Sequence, residues 1–496
     1  MMIKCALFSC YKKDGIEKLA LALKSRYKII ASSGTAKYLR KKGIDCEEIS
    51  KITGQKEILG GRYKTIHPLI IAGILARRDC EEDLKEIKEM KGILIDFVCC
   101  NLYPFFEKKS IENIDIGGVT LIRAAAKNYK WVTVLTSQED FGWVIEKLKK
   151  NELTEEDRKY LAQKAFDYTA KFDIEIAKFM GSQKLYIVCD EFMDLRYGEN
   201  PHQSAKFYRL EDYDGLSLFD LDKLHGKEIS YNNLCDFETA LLIVKSFKEP
   251  CCAIIKHQNP CGVAVADNIC DAYLKAEQSD PLSSFGGIIG FNRTVDAETA
   301  EKISPKFIEG IIAPDFTQDA IAILCRKKRL ILVKINFEKN LPSKIYRFIS
   351  GGVLVQDADI FEDNYDEWKV VTEAHPDEEE WKCAKFAFKI CRFIKSNAIC
   401  IADSSQSLGI GAGQPNRVGA VEIAIKNMER FGLKREKMAL ASDGFFPFPD
   451  SVELGMKAGI KVFVQPGGSI RDKEVIEFCN KHGLKMIFTG RRHFRH

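Results

Sequence analysis

A four-residue apolar run that stops abruptly at a lysine and a histidine constrains this 496-residue chain more than any other stretch. Cys252-Ala253-Ile254-Ile255 is apolar on both faces and too short for a helix, the pattern of a strand buried inside a sheet. Lys256-His257 follow at once, and Asn259-Pro260-Cys261-Gly262 reads as the turn that ends the strand. A buried strand fixes its last residue, so both polar heads are delivered to one place at a sheet end, where α/β proteins build their sites.

The first half repeats that theme with helices between the strands. Lys4–Ser9 and Lys28–Ala31 read as strands flanking an amphipathic helix over 15–26. Ser32-Ser33-Gly34-Thr35 then opens a helix over 36–42, and a Ser/Gly/Thr turn at a helix N-terminus offers amides, hydroxyls and a positive dipole end to a phosphate. Further on come the cationic loop Gly60-Gly61-Arg62-Tyr63-Lys64-Thr65-Ile66-His67-Pro68 and a strand over 97–102 closing on Asn101-Leu102-Tyr103-Pro104. The turn Asp115-Ile116-Gly117-Gly118-Val119-Thr120 starts a helix running to Lys127, and a strand over 131–135 follows. Strands alternating with helices, with polar residues at the strand ends, predict a doubly wound parallel sheet with a crevice at one edge. Thr154 caps an acidic turn, and Leu161, Ala165, Tyr168, Phe172, Ile176 and Phe179 form one stripe of a long helix. Gly181-Ser182-Gln183 ends it and divides the chain into domains 1–183 and 184–496.

In the second half, Leu195-Arg196-Tyr197-Gly198-Glu199-Asn200-Pro201-His202-Gln203 is a polar turn, and 224–233 a loop before a helix over 236–247. Ser283-Ser284-Phe285-Gly286-Gly287 leads into a strand over 288–291, and Glu309-Gly310-Ile311-Ile312-Ala313-Pro314 is another strand. The layout then recurs. A helix bearing Cys383, Phe386, Ala387, Ile390 and Ile394 precedes Ser396-Asn397-Ala398 and a strand over 399–402. Gly409-Ile410-Gly411-Ala412-Gly413 lacks dinucleotide-fingerprint spacing and reads as a mobile loop whose backbone meets a ligand, ahead of Arg417. Phe445, Phe446 and Phe448 crowd one turn, and the chain closes on Gly490-Arg491-Arg492-His493-Phe494-Arg495-His496. Two such sets predict two similar α/β lobes.

Composition narrows the function classes. Seventy-five Lys+Arg against 71 Asp+Glu leave +4, which gives no nucleic-acid or membrane footprint. No apolar run approaches the roughly 18 residues of a spanning helix, and the N-terminus is too soon charged for a signal peptide. Seventeen scattered cysteines suit buried thiols in a reducing cytoplasm. A zinc deaminase site needs His-x-Glu and Pro-Cys-x-x-Cys. Here Asn259 and Ala264 stand where the Glu and second Cys belong, so no catalytic metal is expected.

Lys256-His257-Gln258-Asn259-Pro260-Cys261-Gly262 resembles the signature of the AICAR transformylase/IMP cyclohydrolase family. The first-half Ser-Gly-Thr turn, the Gly-Gly-Arg-x-Lys-Thr-x-His-Pro loop, Asn-Leu-Tyr-Pro and the Asp-Ile-Gly-Gly-Val-Thr run match the cyclohydrolase half of that family, in order. Four motifs in register are far more specific than any one of them. The second-half motifs match its transformylase half to the last residues. The resemblance implies a methylglyoxal-synthase-like first domain, then two cytidine-deaminase-like lobes without zinc. It implies a homodimer with shared transformylase sites that formylates AICAR from 10-formyltetrahydrofolate and closes formyl-AICAR to IMP.

By matching position, the resemblance assigns Lys64, Tyr103, Asp115 and Lys127 to cyclisation. Lys13, Ser32, Ser33, Gly34, Thr35, Arg62, Tyr63, Thr65, Cys100, Asn101 and Ile116 would hold the nucleotide. Lys256 and His257 would act in formyl transfer, with Arg196, Tyr197, Gly286, Glu309, Asn397, Arg417 and Arg492 on the ribotide. Phe445, Asp450, Ser469 and Ile470 would line the folate pocket. These types fit the chemistry: Tyr and Lys stabilise oxyanions, Lys/Asp and His move protons, Arg grips phosphate, and an aromatic ring faces a pterin.

Two places depart from the family pattern. Glu309 stands where Asp is expected, and Tyr11 and Asp14 replace a serine and a threonine in the first phosphate turn. Asp14 is expected to cap the following helix and so turn away from the ligand. Two alternatives remain at this stage: a transformylase whose first half is only a nucleotide-binding or regulatory module, and a phosphoribosyl-ligand sensor.

Overall fold

The computed structural model describes residues 4–211, 213, 215–360 and 363–496. Met1–Ile3, part of the N-terminal stretch read above, lie outside them. The chain divides into two compact units, Met1–Tyr186 and Ile187–His496.

In the first unit, β1 (Lys4–Cys10) is followed by α1 (Ile16–Leu23), β2 (Lys28–Ala31), α2 (Ser33–Lys41) and β3 (Glu47–Glu48). Three helices, α3 (Ile49–Thr53), α4 (Pro68–Leu75) and α5 (Glu81–Glu89), lead to β4 (Leu94–Asn101). Then come α6 (Gly117–Lys127), β5 (Thr133–Leu135), α7 (Phe141–Lys150) and α8 (Glu155–Phe179). All five strands are parallel, in the order β3-β2-β1-β4-β5. Winding reverses between β1 and β4, so their carboxyl ends, Cys10 and Asn101, border the crevice such a sheet opens. Thr154 and Asp157 cap α8 reciprocally, and Leu161, Ala165 and Phe172 of its stripe are fully buried.

Asp14 does not cap α1. Gly15, in the left-handed region at φ 77°, takes the N-cap position with no side-chain cap, which leaves Asp14 one residue upstream and exposed. Helix α2 begins at Ser33, three residues earlier than the turn chemistry suggests.

The second unit opens with a hairpin, β6 (Cys189–Leu195) and β7 (Ala205–Leu210). Its first lobe runs β8 (Asp222–His225), α9 (Tyr231–Lys245), β9 (Cys251–Lys256), β10 (Asn259–Val265), α10 (Ile269–Ser279), β11 (Ile288–Phe291), α11 (Ala297–Ile303), β12 (Gly310–Ala313), α12 (Gln318–Leu324) and β13 (Ile331–Lys334). After the hairpin β14 (Lys344–Ile349) and β15 (Gly352–Asp357), the second lobe begins with β16 (Lys369–Val370), α13 (Glu378–Cys391), β17 (Ile399–Ala402) and β18 (Ser407–Gly411). It ends with α14 (Arg417–Arg430), β19 (Ala439–Ser442), α15 (Asp450–Lys457), β20 (Val462–Gln465), α16 (Asp472–Lys481) and β21 (Lys485–Phe488).

The two lobes repeat one topology. Their sheets run β10-β9-β11-β12-β13-β8 and β18-β17-β19-β20-β21-β16, with the same parallel and antiparallel pairings at each step. The edge strands β10 and β18 meet: Ala264 bridges Gln406, and the Val263 amide donates to Ser407 Oγ at 2.9 Å.

Three local expectations change. Asn259–Gly262 is not the turn after β9 but the start of β10; the turn is His257-Gln258, and Pro260 is accommodated beside a register shift. Helix α9 starts at Tyr231, because Ser230 and Asn233 form a capping box in the stretch expected to be loop. Gly409 and Gly411 lie in strand β18, not in a mobile loop. A Cβ on either would stand 2.1 or 1.9 Å from a backbone oxygen of α14, so these glycines allow helix and strand to touch.

Candidate active sites

The first site lies at the carboxyl ends of β1 and β4, in a cavity of about 490 Å³. Of the residues assigned above, Lys13, Ser32, Gly34, Thr35, Arg62, Lys64, Thr65, Asn101, Tyr103, Asp115 and Ile116 line it. At the strand ends, polar groups stitch the loops of the cavity together. Asn101 Oδ1 accepts the amides of Tyr11 and Lys12 at 2.7 and 3.0 Å, and its Nδ2 donates to Lys12 O. Thr35 Oγ1 binds both backbone groups of Cys10 and accepts from Ser32 Oγ. The Ser32 hydroxyl thus binds the Thr35 side chain rather than the first-turn amides of α2, which receive no side-chain cap. Uncapped amides at a helix N-terminus suit an anion.

Opposite that turn, Lys64 Nζ donates to the Tyr103 hydroxyl at 2.9 Å. Burial works to lower the Lys64 ammonium, but Tyr103, Glu57 and Asp115 outweigh it and hold the group above its ordinary value. Asp115 accepts the amides of Gly118 at 2.6 Å and Tyr103 at 3.3 Å. Burial pushes its carboxyl up from the ordinary range, against those two amides and Lys64. Gly117 and Gly118 allow this crowding: a Cβ on Gly117 would stand 2.4 Å from Thr65 Oγ1, and one on Gly118 2.8 Å from Asp115 Oδ2.

Cys100, Ser33, Tyr63 and Lys127 do not line the cavity, while Arg62 and Lys13 line it with their heads held by neighbours. Cys100 is buried below the cavity with its thiol toward Gly118 O. Ser33 Oγ donates to Glu57, Tyr63 pairs its backbone with Ile58, and Arg62 forms an exposed pair with Glu112. Lys127 is exposed at the far end of α6, about 15 Å along the axis from Gly117. Lys13 Nζ donates to Tyr11 O, and the Tyr11 ring stands edge-on to Tyr103.

The second site is built on β9. Lys256 Nζ donates to the carbonyls of Phe285 and Gly286 at 2.9 and 3.0 Å, which uses two of its three protons. Gly286, at φ 70°, carries no Cβ where one would lie 3.1 Å from that nitrogen. His257 is exposed in the loop. Beyond the Gly286 carbonyl that Lys256 holds, Gly286 N–H donates to Phe307 O, Glu309 N–H to Gly287 O, and the Glu309 carboxylate pairs closely with Lys227. Arg196 lies over the Tyr197 ring at 4.5 Å and donates to its hydroxyl, while its buried Nε has no hydrogen-bond partner among the described residues.

The second lobe meets this loop from the other side. Asn259 Oδ1 accepts the Lys395 amide at 3.0 Å, and Asn397 lies two residues on. Arg417 is buried; it donates to Asn397 Oδ1, to Ser442 Oγ and to the fully buried carboxylate of Asp443. Phe445 and Phe448 are exposed beyond the carboxyl end of β19, whereas Phe446 is core and its amide binds Gln465. Asp450 begins α15, and Ser469 and the fully exposed Ile470 follow β20. Arg492 stacks on Phe494 in the C-terminal tail.

Sequence reasoning missed Asp443, Lys227 and Asp236. A carboxylate directly after the short strand Ala439–Ser442 signals Asp443; Lys227 has no such signal, since its partner Glu309 is distant in sequence.

The two constellations on an α/β frame define a two-site enzyme, and comparison with known proteins says which. Residues 15–130 match the MGS-like domain and residues 125–427 the AICARFT/IMPCHase bienzyme family. Proteins named "Bifunctional purine biosynthesis protein PurH" align along the whole chain. That of Persephonella marina is 47% identical over 99% of both chains. That of Aquifex aeolicus is 46% identical over 99% of this chain and 100% of its own. That of Bacillus mycoides is 44% identical over 100% of both. The chain belongs to the AICARFT/IMPCHase bienzyme family.

Proposed function

We infer that this protein is a bifunctional enzyme of purine biosynthesis, an AICAR transformylase and IMP cyclohydrolase. What supports the division of labour is the presence of two separate constellations, Lys64–Tyr103–Asp115 in one unit and Lys256–His257 in the other. We assign cyclisation to domain 1–183 and formyl transfer to domain 184–496.

In formyl transfer the ribotide amine attacks the formyl carbon of 10-formyltetrahydrofolate, and the bond from that carbon to the folate nitrogen breaks. His257 takes the amine proton. The third Lys256 proton stabilises the formyl oxyanion or goes to the departing nitrogen. Arg196, Arg417 and Arg492 supply cations for the ribotide, and Phe445 an aromatic face for the pterin. Glu309 would share its carboxylate between the ribotide and Lys227.

In cyclisation the carboxamide nitrogen attacks the formyl carbon, and the formyl oxygen leaves as water. Tyr103 and Lys64 hydrogen-bond the developing oxyanion, and Asp115 exchanges protons with Lys64. The phosphate lies on the α2 amides beside Lys13. Neither step needs a metal: His257 and Cys261 lack the further ligands that zinc requires.

The enzyme works as a cytoplasmic homodimer. All seventeen cysteines are free thiols, as a reducing compartment keeps them. The hairpin β14–β15 exposes Phe348, Ile349 and Leu354, apolar area of the kind a second copy covers. No helix among the described residues is long and apolar enough to cross a membrane.

Incubating the protein with AICAR and 10-formyltetrahydrofolate should yield IMP. Accumulation of formyl-AICAR without IMP would favour the alternative of an inactive first domain.

A further inference from the structure

The loop that carries His257 is conformationally costly. β9 and β10 pair through Lys256 and Asn259, which leaves a two-residue hairpin loop, His257-Gln258, with both residues at positive φ (52° and 63°). Such loops favour Asn-Gly or Asp-Gly, because other side chains resist the left-handed region. Neither loop amide has a partner in the ladder.

The Gln258 amide finds its partner outside it. Gln258 N–H donates to Asp236 Oδ1 at 2.7 Å. Asp236 is the sixth residue of α9, a helix fixed by its capping box and by the buried Phe237 and Ala240 on either side of the next turn. From the opposite side Asn259 Nδ2 donates to His257 O at 3.3 Å. The imidazole makes no hydrogen bond to a described residue, so the clamp acts on the loop backbone. Burial pushes the Asp236 carboxyl up, while the Gln258 amide, the charges of His257 and Lys256 and the His257 amide oppose it.

We propose that Asp236 is a positioning residue for formyl transfer, its carboxylate holding the His257-Gln258 loop in the left-handed turn that presents His257 to the ribotide amine. This rests on the reading of His257 as the base. Asp236 touches no reacting atom; its contribution is geometric.

Four variants test it: His257→Ala, Asp236→Ala, Asp236→Asn, and Asp236→Ala combined with Gln258→Gly. Asp236→Ala should lower kcat of formyl transfer at least tenfold, with KM for AICAR within about threefold. Cyclisation of supplied formyl-AICAR, in the other unit, should be unchanged and so reports folding. Asp236→Asn keeps an oxygen acceptor and should lose less than about threefold. Gln258→Gly frees the loop to adopt positive φ and should restore most of the lost kcat. A double variant as slow as Asp236→Ala would overturn the geometric role. An inactive His257→Ala beside a fully active Asp236→Ala would overturn the positioning alone. Formyl transfer surviving His257→Ala would remove the base and the proposal with it.

Discussion

The Lys64 ammonium and the Tyr103 hydroxyl, 39 residues apart in sequence, share a 2.9 Å hydrogen bond across the crevice of the first unit. Each end comes from a different loop, so the bond fixes the gap into which a reacting oxygen must fit. Tyr103→Phe keeps the ring that Tyr11 touches and removes only the hydroxyl. Cyclisation should fall by about 10²-fold, the usual loss for one oxyanion donor, while formyl transfer is unchanged. An assay with supplied formyl-AICAR reads the first and AICAR consumption the second. Equal loss of both would contradict the assignment of Tyr103 to one step.

Asp115 links activity to stability with a definite sign. Burial raises its carboxyl above the ordinary value, so the unfolded chain gives up that proton more readily than the folded one. Its contribution to stability is therefore fully present below the ordinary carboxylate pKa and declines as pH rises through the raised one. Asp115→Asn keeps an acceptor for the Gly118 amide and removes the titration. The melting-temperature difference, variant minus parent, should be more positive at pH 7 than at pH 4, while cyclisation drops. A difference independent of pH would show that the carboxyl is not held above its ordinary range.

What the sequence made legible follows from how far each cause reaches. Four-residue apolar runs such as Ile399–Ala402 and Ile288–Phe291 announce buried strands, because the signal lies wholly within the run. Gly409 and Gly411 point the other way: glycine reads as loop, and the reason for it is a helix backbone beginning at Arg417. The turn reads as Asn259–Gly262 rather than His257-Gln258 for the same reason: turn-forming residues stand there, and the pairing of Pro260 with Ile255 is a property of the ladder, not of the run itself. At the site, the Asp-Ile-Gly-Gly run located the crevice, but that Cys100 lies beneath its floor depends on the packing of α6 over β4.

Arg417 and Asp443 form a pair whose loss should be felt by the second unit alone. Their side chains are 7% and 0% exposed, and Asp443 also accepts from Ser396. Asp443→Ala leaves the guanidinium buried and uncompensated, which typically costs about 3–5 kcal/mol. Urea unfolding should show the second unit melting earlier with the first unit's transition unmoved. Loss below about 1 kcal/mol would mean that water reaches the arginine.

Metal removal should change nothing. Overnight dialysis against a strong chelator should leave both activities within about twofold, because His257 and Cys261 are not part of any group of three or more metal-ligating side chains among the described residues. Zinc bound in stoichiometric amount, with activity lost on chelation and regained on adding metal, would defeat the metal-free reading.

The hairpin β14–β15 gives the test of assembly. Phe348 is 70% and Leu354 54% exposed, and a lone two-stranded hairpin has too little core to hold such residues in water. If a second copy covers them, Phe348→Asp removes a buried phenylalanine from each side of a twofold interface. At about 1.5–3 kcal/mol per side chain, the dimer weakens by about 3–6 kcal/mol, or roughly 10²–10⁴ in Kd. Sedimentation equilibrium should then show the monomer–dimer balance of the variant shifted toward monomer by that factor relative to its parent. If the transformylase sites are shared between the two copies, formyl transfer should become dependent on protein concentration, while cyclisation per chain stays constant. A variant that dimerises as tightly as its parent would exclude this hairpin from the interface. A monomeric variant with full formyl transfer would place each complete transformylase site within one chain.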